Sequence, residues 1–143
     1  MNFLIISANF YEDISSELLL GATQELEKEG HHYHKISVPG SFEIPAAISY
    51  ATDLEIYDGF IALGCIIKGE TLHHNVIAHE SARALNELAI NMNLAIGNGI
   101  ITAEDKTQAL ARAAVKKRNI GGTAARTALK MATIRNKFQE MLS

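Results

Sequence analysis

The sequence predicts an α/β fold in which a four-stranded parallel sheet carries helices on both faces. Two observations support this prediction: four short apolar runs rich in Ile, Leu and Val, and helical patterns that separate them along the 143 residues. Alternation of this kind favours right-handed crossovers and a sheet covered by helices. The length suits a single domain over residues 1–143, and we find no internal repeat or linker.

The four apolar runs are predicted to be strands covered on both faces. They show little alternation of polar and apolar residues, which is typical of buried parallel strands. Histidines interrupt the start of the second run. In chain order the predicted strands are Phe3–Ala8, Tyr33–Val38, Gly59–Ile67 and Leu94–Ile101.

The first two helices are predicted from residues typical of helix ends. Asp13 can cap a helix that ends at Gly30, a residue type that commonly follows a helix. A second helix opens at Glu43, Ile44 and Pro45, because proline is tolerated in a first helical turn.

The third and fourth helices are predicted to flank the fourth strand. The third begins at Thr71 or Leu72 and runs to about Asn93. The fourth covers Glu104–Arg118, with Thr102 as its cap.

The last helix is predicted over about Thr123–Leu142 and is entered through Gly121 and Gly122. No strand pattern separates it from the fourth helix. The predicted order of elements is therefore βαβαβαβαα.

Composition argues against several classes of protein. Hydrophobic residues make up 48% and charged residues 20%, as in soluble globular domains, and a net charge of -3 does not favour nucleic acid. The chain shows no signal-peptide pattern, and no apolar stretch approaches the roughly 18 residues of a membrane span. One cysteine, Cys65, cannot form an internal disulfide, which favours the reducing cytoplasm.

Unusual residues lie at or near the end of every predicted strand. Open parallel sheets bind ligands at the carboxyl ends of their strands, so this placement predicts a small-molecule site there. The four segments are Asn9-Phe10-Tyr11, Pro39-Gly40-Ser41-Phe42-Glu43, Gly69-Glu70-Thr71-Leu72-His73 and Gly97-Asn98-Gly99.

The string GCIIKGET is close to a P-loop, G-x-x-x-x-G-K-[ST], but Glu70 replaces the lysine. That carboxylate would repel a triphosphate, whereas backbone N–H groups of a glycine turn entering a helix can still bind a phosphate monoester. The missing cation could come from Arg112 and Lys116, which lie four apart on one predicted helix face. Alternatively, both are simply exposed.

His73 falls in the first turn of the third predicted helix, where a neutral imidazole could transfer protons. The alternative is an ordinary helix-surface residue. A metal site is not expected, because His79-Glu80-Ser81-Ala82-Arg83 has arginine where H-E-x-x-H needs its second histidine. The remaining histidines considered are interpreted as surface or strand-edge residues: His31, His32, His34 and His79.

Two further residues allow two interpretations each. Phe10 could pack in the core, or its ring could stack on a planar heterocycle. Glu43 could simply favour a helix N-terminus, or it could bind ligand hydroxyls.

With these residues in hand, the sequence resembles the 6,7-dimethyl-8-ribityllumazine synthase family along nearly the whole chain. The resemblance implies a flavodoxin-like three-layer sandwich. It also implies a transferase of riboflavin biosynthesis that condenses 5-amino-6-(D-ribitylamino)uracil with 3,4-dihydroxy-2-butanone 4-phosphate. The strings that carry the resemblance are NFYEDISSELLLGA, VPGSFEIPAA, ALGCIIKGETLHHNVIAHE, GIITAEDKTQALARA and GGTAARTALKM.

The resemblance also implies roles for individual residues, with His73 as the proton-transfer residue. Phe10 would stack on the pyrimidine, and Arg112 would bind the phosphate together with Gly69, Glu70 and Thr71. The resemblance implies three more groups of substrate-binding residues. These are Ser41, Phe42 and Glu43 at the ribityl chain, Cys65, Ile66 and Ile67 at the pyrimidine edge, and in addition Asn98 and Lys116.

Two positions depart from the family pattern. Asn98 stands where many relatives carry Phe, so a contact to the pyrimidine there would be polar. Ile120 stands where many relatives carry Lys, and Arg118 is a candidate to replace that contact.

The family implies sites shared between subunits of a pentamer or its multiples, with one subunit giving Phe10 and His73 and its neighbour Asn98 and Arg112. The absence of an N-terminal pairing segment mildly favours assemblies smaller than a shell. No cofactor, nucleic acid or membrane partner is expected. The alternatives are a flavin- or lumazine-binding protein without catalysis and a shell-forming protein on the same fold.

Overall fold

The computed structural model of the chain describes residues 1–69 and 73–143. Within those residues the predicted order βαβαβαβαα is confirmed, with an additional 3₁₀ turn at Ser41–Glu43. The strands are β1 (Asn2–Ala8), β2 (His32–Val38), β3 (Gly59–Ile67) and β4 (Ile96–Ala103). The α-helices are α1 (Glu12–Lys28), α2 (Ile44–Thr52), α3 (His74–Met92), α4 (Lys106–Ala113) and α5 (Ile120–Met141).

The four strands form one parallel sheet with the order β2-β1-β3-β4. Helices α1, α4 and α5 pack on one face of the sheet, and α2 and α3 pack on the other. The predicted flavodoxin-like three-layer sandwich is therefore confirmed. The chain runs outward from β1 to β2 and then crosses back to β3, so the direction of winding reverses between β1 and β3.

The two central strands are largely apolar because both of their faces are covered. Phe3 and Ile5 point into the cluster formed with α1, α4 and α5, whereas Leu4 and Ile6 point into the cluster formed with α2 and α3. Successive side chains of a strand alternate between faces, so a strand between two helix layers shows no polar alternation. This explains the continuous apolar runs of β1 and β3.

The prediction that all four strands are covered on both faces is wrong for the edge strands. Most residues of β2 are exposed, including His32, His34 and Lys35. In β4, buried and less buried residues alternate, and Asn98 and Thr102 are exposed. Both strands lie at sheet edges, where the helix layers of one protomer do not reach every side chain.

Two predicted helix caps are replaced by neighbouring residues. Asp13 lies inside α1, whose N-cap is Tyr11, and its carboxylate accepts a hydrogen bond from the Ile14 N–H at 3.0 Å. Thr102 belongs to β4, which continues to Ala103, and Asp105 caps α4 by accepting from the Gln108 N–H at 2.8 Å. The predicted start of the third helix, at Thr71 or Leu72, lies outside the described residues.

The fourth and fifth helices also have corrected boundaries. Helix α4 ends at Ala113, because Ala114 turns the backbone out of helical conformation with ψ 129°. Lys116 therefore lies in the following turn and shares no helix face with Arg112, contrary to prediction. Helix α5 begins earlier than predicted, since the Asn119 side chain caps it by accepting from the Gly122 N–H at 3.2 Å.

Helix α5 approaches its neighbours closely where glycine leaves space. A Cβ atom added to Gly97 of β4 would lie 1.8 Å from the Ala124 carbonyl oxygen, and one added to Gly121 would lie 2.0 Å from the Leu18 carbonyl oxygen. Backbone atoms cannot yield as a flexible side chain can. The two contacts therefore fix α5 against β4 on one side and α1 on the other.

We expect Gly97→Ala to lower the free energy of unfolding by about 1–3 kcal/mol or more, because the added methyl group would collide with backbone. Chemical denaturation of the purified variant measures this. Gly40→Ala is the matched control, since its added Cβ has only an ordinary 3.5 Å contact with Glu43 and its φ of -158° suits any residue. Equal stabilities of the two variants would contradict the close approach of α5.

Candidate active site

A cleft of about 290 Å³ opens at the carboxyl ends of β1 and β3, on the two sides of the point where winding reverses. Parallel α/β sheets bind ligands at such points, because the crossovers leave the strand ends uncovered. The cleft is mostly apolar in its residue types. The described residues that line it are Ala8, Phe10, Tyr11, Gly40, Ser41, Cys65, Ile66, Ile67 and Ile77.

Phe10 lies at the rim of this cleft, in the bend that follows β1. Its side chain is 75% exposed, and its ring meets Tyr11 edge-on with centroids 5.0 Å apart. The interpretation of Phe10 as a core residue is therefore wrong for the protomer. The exposed face of the ring is free to receive a planar group entering the cleft.

The 3₁₀ turn after β2 places three predicted residues with different exposure. Ser41 is only 6% exposed. Its hydroxyl group packs against Gly64 of β3, where an added Cβ atom would lie 2.4 Å from the hydroxyl oxygen. Phe42 and Glu43 are exposed. Of these three residues only Ser41 lines the cleft in the single protomer.

The end of β3 forms the floor of the cleft. Cys65 is half-buried, and Ile66 and Ile67 are buried. The strand then turns at Gly69, whose φ of +87° suits glycine. His73 follows as the exposed N-cap residue of α3, and its carbonyl accepts from the Ile77 N–H at 3.0 Å. The predicted phosphate residues Glu70 and Thr71 lie outside the described residues.

A second, more polar cavity of about 490 Å³ lies beside the ends of β3 and β4. Ile66 lines both cavities, so they share a wall. We call this cavity the cationic pocket. The described residues that line it are Ile66, Lys68, His74, Asn75, Ala78, His79, Thr102, Ala103, Glu104, Gln108 and Arg112.

Arg112 is positioned in the cationic pocket by the way α4 begins. Asp105 caps the helix, and the Gln108 side chain reaches back to accept from the Glu104 N–H at 2.7 Å. Arg112 lies one turn after Gln108, half-buried, and its Nη1 donates to the Thr102 carbonyl. The guanidinium group is therefore held at the carboxyl end of β4, with further donors for an anion.

The protomer does not bring all the predicted residues together. Phe10, Ser41, Cys65, Ile66 and Ile67 line the cleft, whereas Arg112 lines the cationic pocket. The described predicted residues that line neither cavity are Phe42, Glu43, Gly69, His73, Asn98 and Lys116.

Asn98 and Lys116 lie apart from the cleft for different reasons. Asn98 is on an exposed position of edge strand β4, opposite Ala62, and its side-chain oxygen accepts from the Ile100 N–H at 3.0 Å. Lys116 is exposed in the turn after α4, which is held to α1 by a hydrogen bond from the Val115 N–H to Glu17 at 3.1 Å.

Sequence reasoning missed several residues that line the cationic pocket. Lys68 follows β3 by one residue, and His74 and His79 lie on α3. The signal for Lys68 was its place at a strand end, beside the glycine turn. His79 is exposed, as expected of a surface histidine, yet it also lines the pocket.

One ion pair lies in the cationic pocket, and a second lies outside both cavities near the start of α4. Lys68 lies 3.8 Å from Glu104, and Lys106 of α4 lies 3.2 Å from Asp13 of α1. A hydrogen bond from Lys106 holds the pKa of the Asp13 carboxyl below its usual range. Across residues 1–69 and 73–143, no three His, Cys, Asp or Glu side chains gather as metal ligands would. The helices described here include none that could cross a membrane.

Comparison with known proteins identifies the chain. The family model described as 6,7-dimethyl-8-ribityllumazine synthase matches residues 1–136. Relatives of that name from Bartonella tribocorum and Zymomonas mobilis are 49% and 47% identical to it, over 94% and 95% of this chain and 90% and 97% of their own lengths. One from Agrobacterium fabrum is 47% identical over 96% of both chains. The chain belongs to the 6,7-dimethyl-8-ribityllumazine synthase family.

Proposed function

We propose that the protein condenses 5-amino-6-(D-ribitylamino)uracil with 3,4-dihydroxy-2-butanone 4-phosphate to give 6,7-dimethyl-8-ribityllumazine, phosphate and water. This is the penultimate step of riboflavin biosynthesis, and the protein is a transferase. Family membership over 136 of its residues carries the proposal. The cavities fit it, because an apolar cleft with an exposed ring adjoins a pocket that contains an arginine.

The roles proposed for the cleft follow from its chemistry. The exposed ring of Phe10 would stack on the pyrimidine. Backbone groups of Cys65, Ile66 and Ile67 would bind the pyrimidine edge. Ser41, with Phe42 and Glu43 beside it, would hold the ribityl chain, whose hydroxyls can donate to the Glu43 carboxylate.

The phosphate would be held at the turn that follows β3. Gly69, Glu70 and Thr71 would provide the cradle, and Arg112 the charge that a phosphate monoester needs. Lys116 is a further cation proposed for this substrate, although it lies in a turn rather than on α4. Asn98 would offer the pyrimidine a polar contact.

The reaction itself needs few catalytic groups from the protein. The substrate amine is the nucleophile that attacks the ketone, and imine formation, phosphate loss, tautomerisation and ring closure follow. Holding two substrates in the right orientation can contribute about 7–11 kcal/mol in favourable cases. His73 would move protons between these intermediates, as a neutral imidazole can near neutral pH. No cofactor enters this scheme.

We propose that sites form between copies of the chain, in a pentamer or a multiple of it. The cleft of one protomer includes neither Asn98 nor Arg112 among its described lining residues, which fits the family arrangement in which a neighbour supplies both. Large apolar side chains on the α2 side are exposed and suited to such contacts, namely Phe42, Tyr50 and Leu54. Native mass spectrometry measures the subunit number, and full activity in a monomer would contradict shared sites.

We place the protein in the cytoplasm. The sequence contains one cysteine, so no disulfide can form within the chain, which fits a reducing compartment.

The direct test of function is to mix the purified protein with both substrates and follow lumazine fluorescence. We expect product formation that depends on both substrates and on the protein. Binding of lumazine or flavin without any product formation would instead select the non-catalytic alternative.

We expect His73→Ala to slow turnover by about 10²–10⁴-fold and to leave measurable activity, because substrate orientation is retained. Steady-state kinetics measures kcat for the variant. His32→Ala is the matched control, since His32 is an exposed histidine on edge strand β2. An unchanged kcat would reject the proton-transfer role, and complete loss in a folded, assembled variant would count against orientation as the main contribution.

We expect Arg112→Gln to raise KM for the butanone phosphate about tenfold or more, because a charged hydrogen-bond donor to phosphate is lost. KM for the ribitylaminouracil should change little. Arg126→Gln is the control, since that guanidinium group is engaged by Glu25 at 2.7 Å on the outer side of α1 and α5. Equal effects of the two substitutions would reject the assignment of Arg112.

A further inference from the structure

Lys68 and Glu104 face each other because of the register of the sheet. Ile67 of β3 is paired with Ala103 of β4, so the next residue of each strand is Lys68 and Glu104. The Lys68 N–H continues the ladder by donating to the Ala103 carbonyl at 2.8 Å. Both side chains then line the cationic pocket that contains Arg112.

The ion pair between these side chains is weak. The ammonium nitrogen of Lys68 lies 3.8 Å from the carboxylate of Glu104, and the side chains are 58% and 68% exposed. Pairs of this kind contribute about 0–1 kcal/mol to stability. The Lys68 ammonium group can therefore leave Glu104 for a stronger anion in the pocket at little cost.

The two residues contribute opposite charges to the pocket. Among its described lining residues, Lys68 and Arg112 are positive and Glu104 is negative when the histidines are neutral. A phosphate group next to Arg112 is attracted by Lys68 and repelled by Glu104. One substrate carries a phosphate group, and the reaction releases inorganic phosphate. The opposed charges of Lys68 and Glu104 therefore affect both the binding of that substrate and the release of that product.

We propose that Lys68 and Glu104 set the affinity of the enzyme for the phosphate group of its substrate and for the phosphate that it releases. Lys68 strengthens the binding of phosphate groups, and Glu104 limits that binding so that inorganic phosphate is released. This inference rests on the proposed function and adds two residues to the phosphate site. The side chains of Lys68 and Glu104 act as charges on the phosphate beside Arg112, whichever protomer supplies the other residues of the site.

The pair formed by Asp13 and Lys106 offers a matched control. It also joins a lysine and a carboxylate, at 3.2 Å, near the start of α4. Neither residue lines the cationic pocket. Lys106→Gln and Asp13→Asn therefore change the net charge of the protein as Lys68→Gln and Glu104→Gln do, but outside the pocket.

The experiment measures KM for each substrate, kcat, and the dissociation constant of inorganic phosphate by calorimetry. We expect Lys68→Gln to weaken both phosphate readouts about three- to tenfold and Glu104→Gln to strengthen them by a similar factor. The double variant should return close to the original protein. KM for the uncharged ribitylaminouracil should stay unchanged, and all differences should shrink at high salt.

Several results would overturn the proposal. Control variants with effects as large as those of the pocket variants would show that only net charge matters. Shifts of Lys68→Gln and Glu104→Gln in the same direction would indicate structural damage, which their thermal unfolding would reveal. If the unmodified protein forms no lumazine, the proposed function fails, whereas an active enzyme indifferent to Lys68 rejects this inference alone.

Discussion

The reversal of winding between β1 and β3 is the constraint on which the candidate site depends. It brings the ends of two central strands together and leaves the space above them free of crossovers. Phe10 reaches the cleft from β1, and Cys65 to Ile67 reach it from β3. A different strand order would separate these segments, although each would keep its own local structure. The position of the site therefore depends first on the strand order and only then on individual side chains.

Packing around α5 preserves that topology. Close approach of its backbone to Gly97 and Gly121, and small alanines along its buried face, hold one helix layer tightly on β4 and α1. The other layer, α2 and α3, packs on the opposite face of the sheet and also leaves large apolar side chains exposed. The close contacts of α5 with β4 and α1 fix this helix on the sheet. The proposed sites between copies of the chain would place further groups against this framework.

Sequence patterns predicted the helices and strands well, but they predicted less well which faces of those elements are buried. Apolar runs identified β1 and β3 because both faces of each are buried, but the same argument failed for β2 and β4. Edge position depends on strand order, which no local pattern contains. The end of α4 was missed because Ala114 is a residue type that favours helices, yet its backbone leaves the helix. Phe10 and Arg112 were candidates from their places in the chain, whereas the pairing of Lys68 with Glu104 follows only from the register of β3 against β4.

The contact between Gly64 and Ser41 links the sheet to the rim of the cleft. The hydroxyl of Ser41 occupies the space that any side chain at position 64 would need. A larger residue there would push the 3₁₀ turn outward and carry Phe42 and Glu43 with it. Under the proposed function, a variant that accepts a different polyol chain beside Ser41 would therefore need changes at both positions 41 and 64.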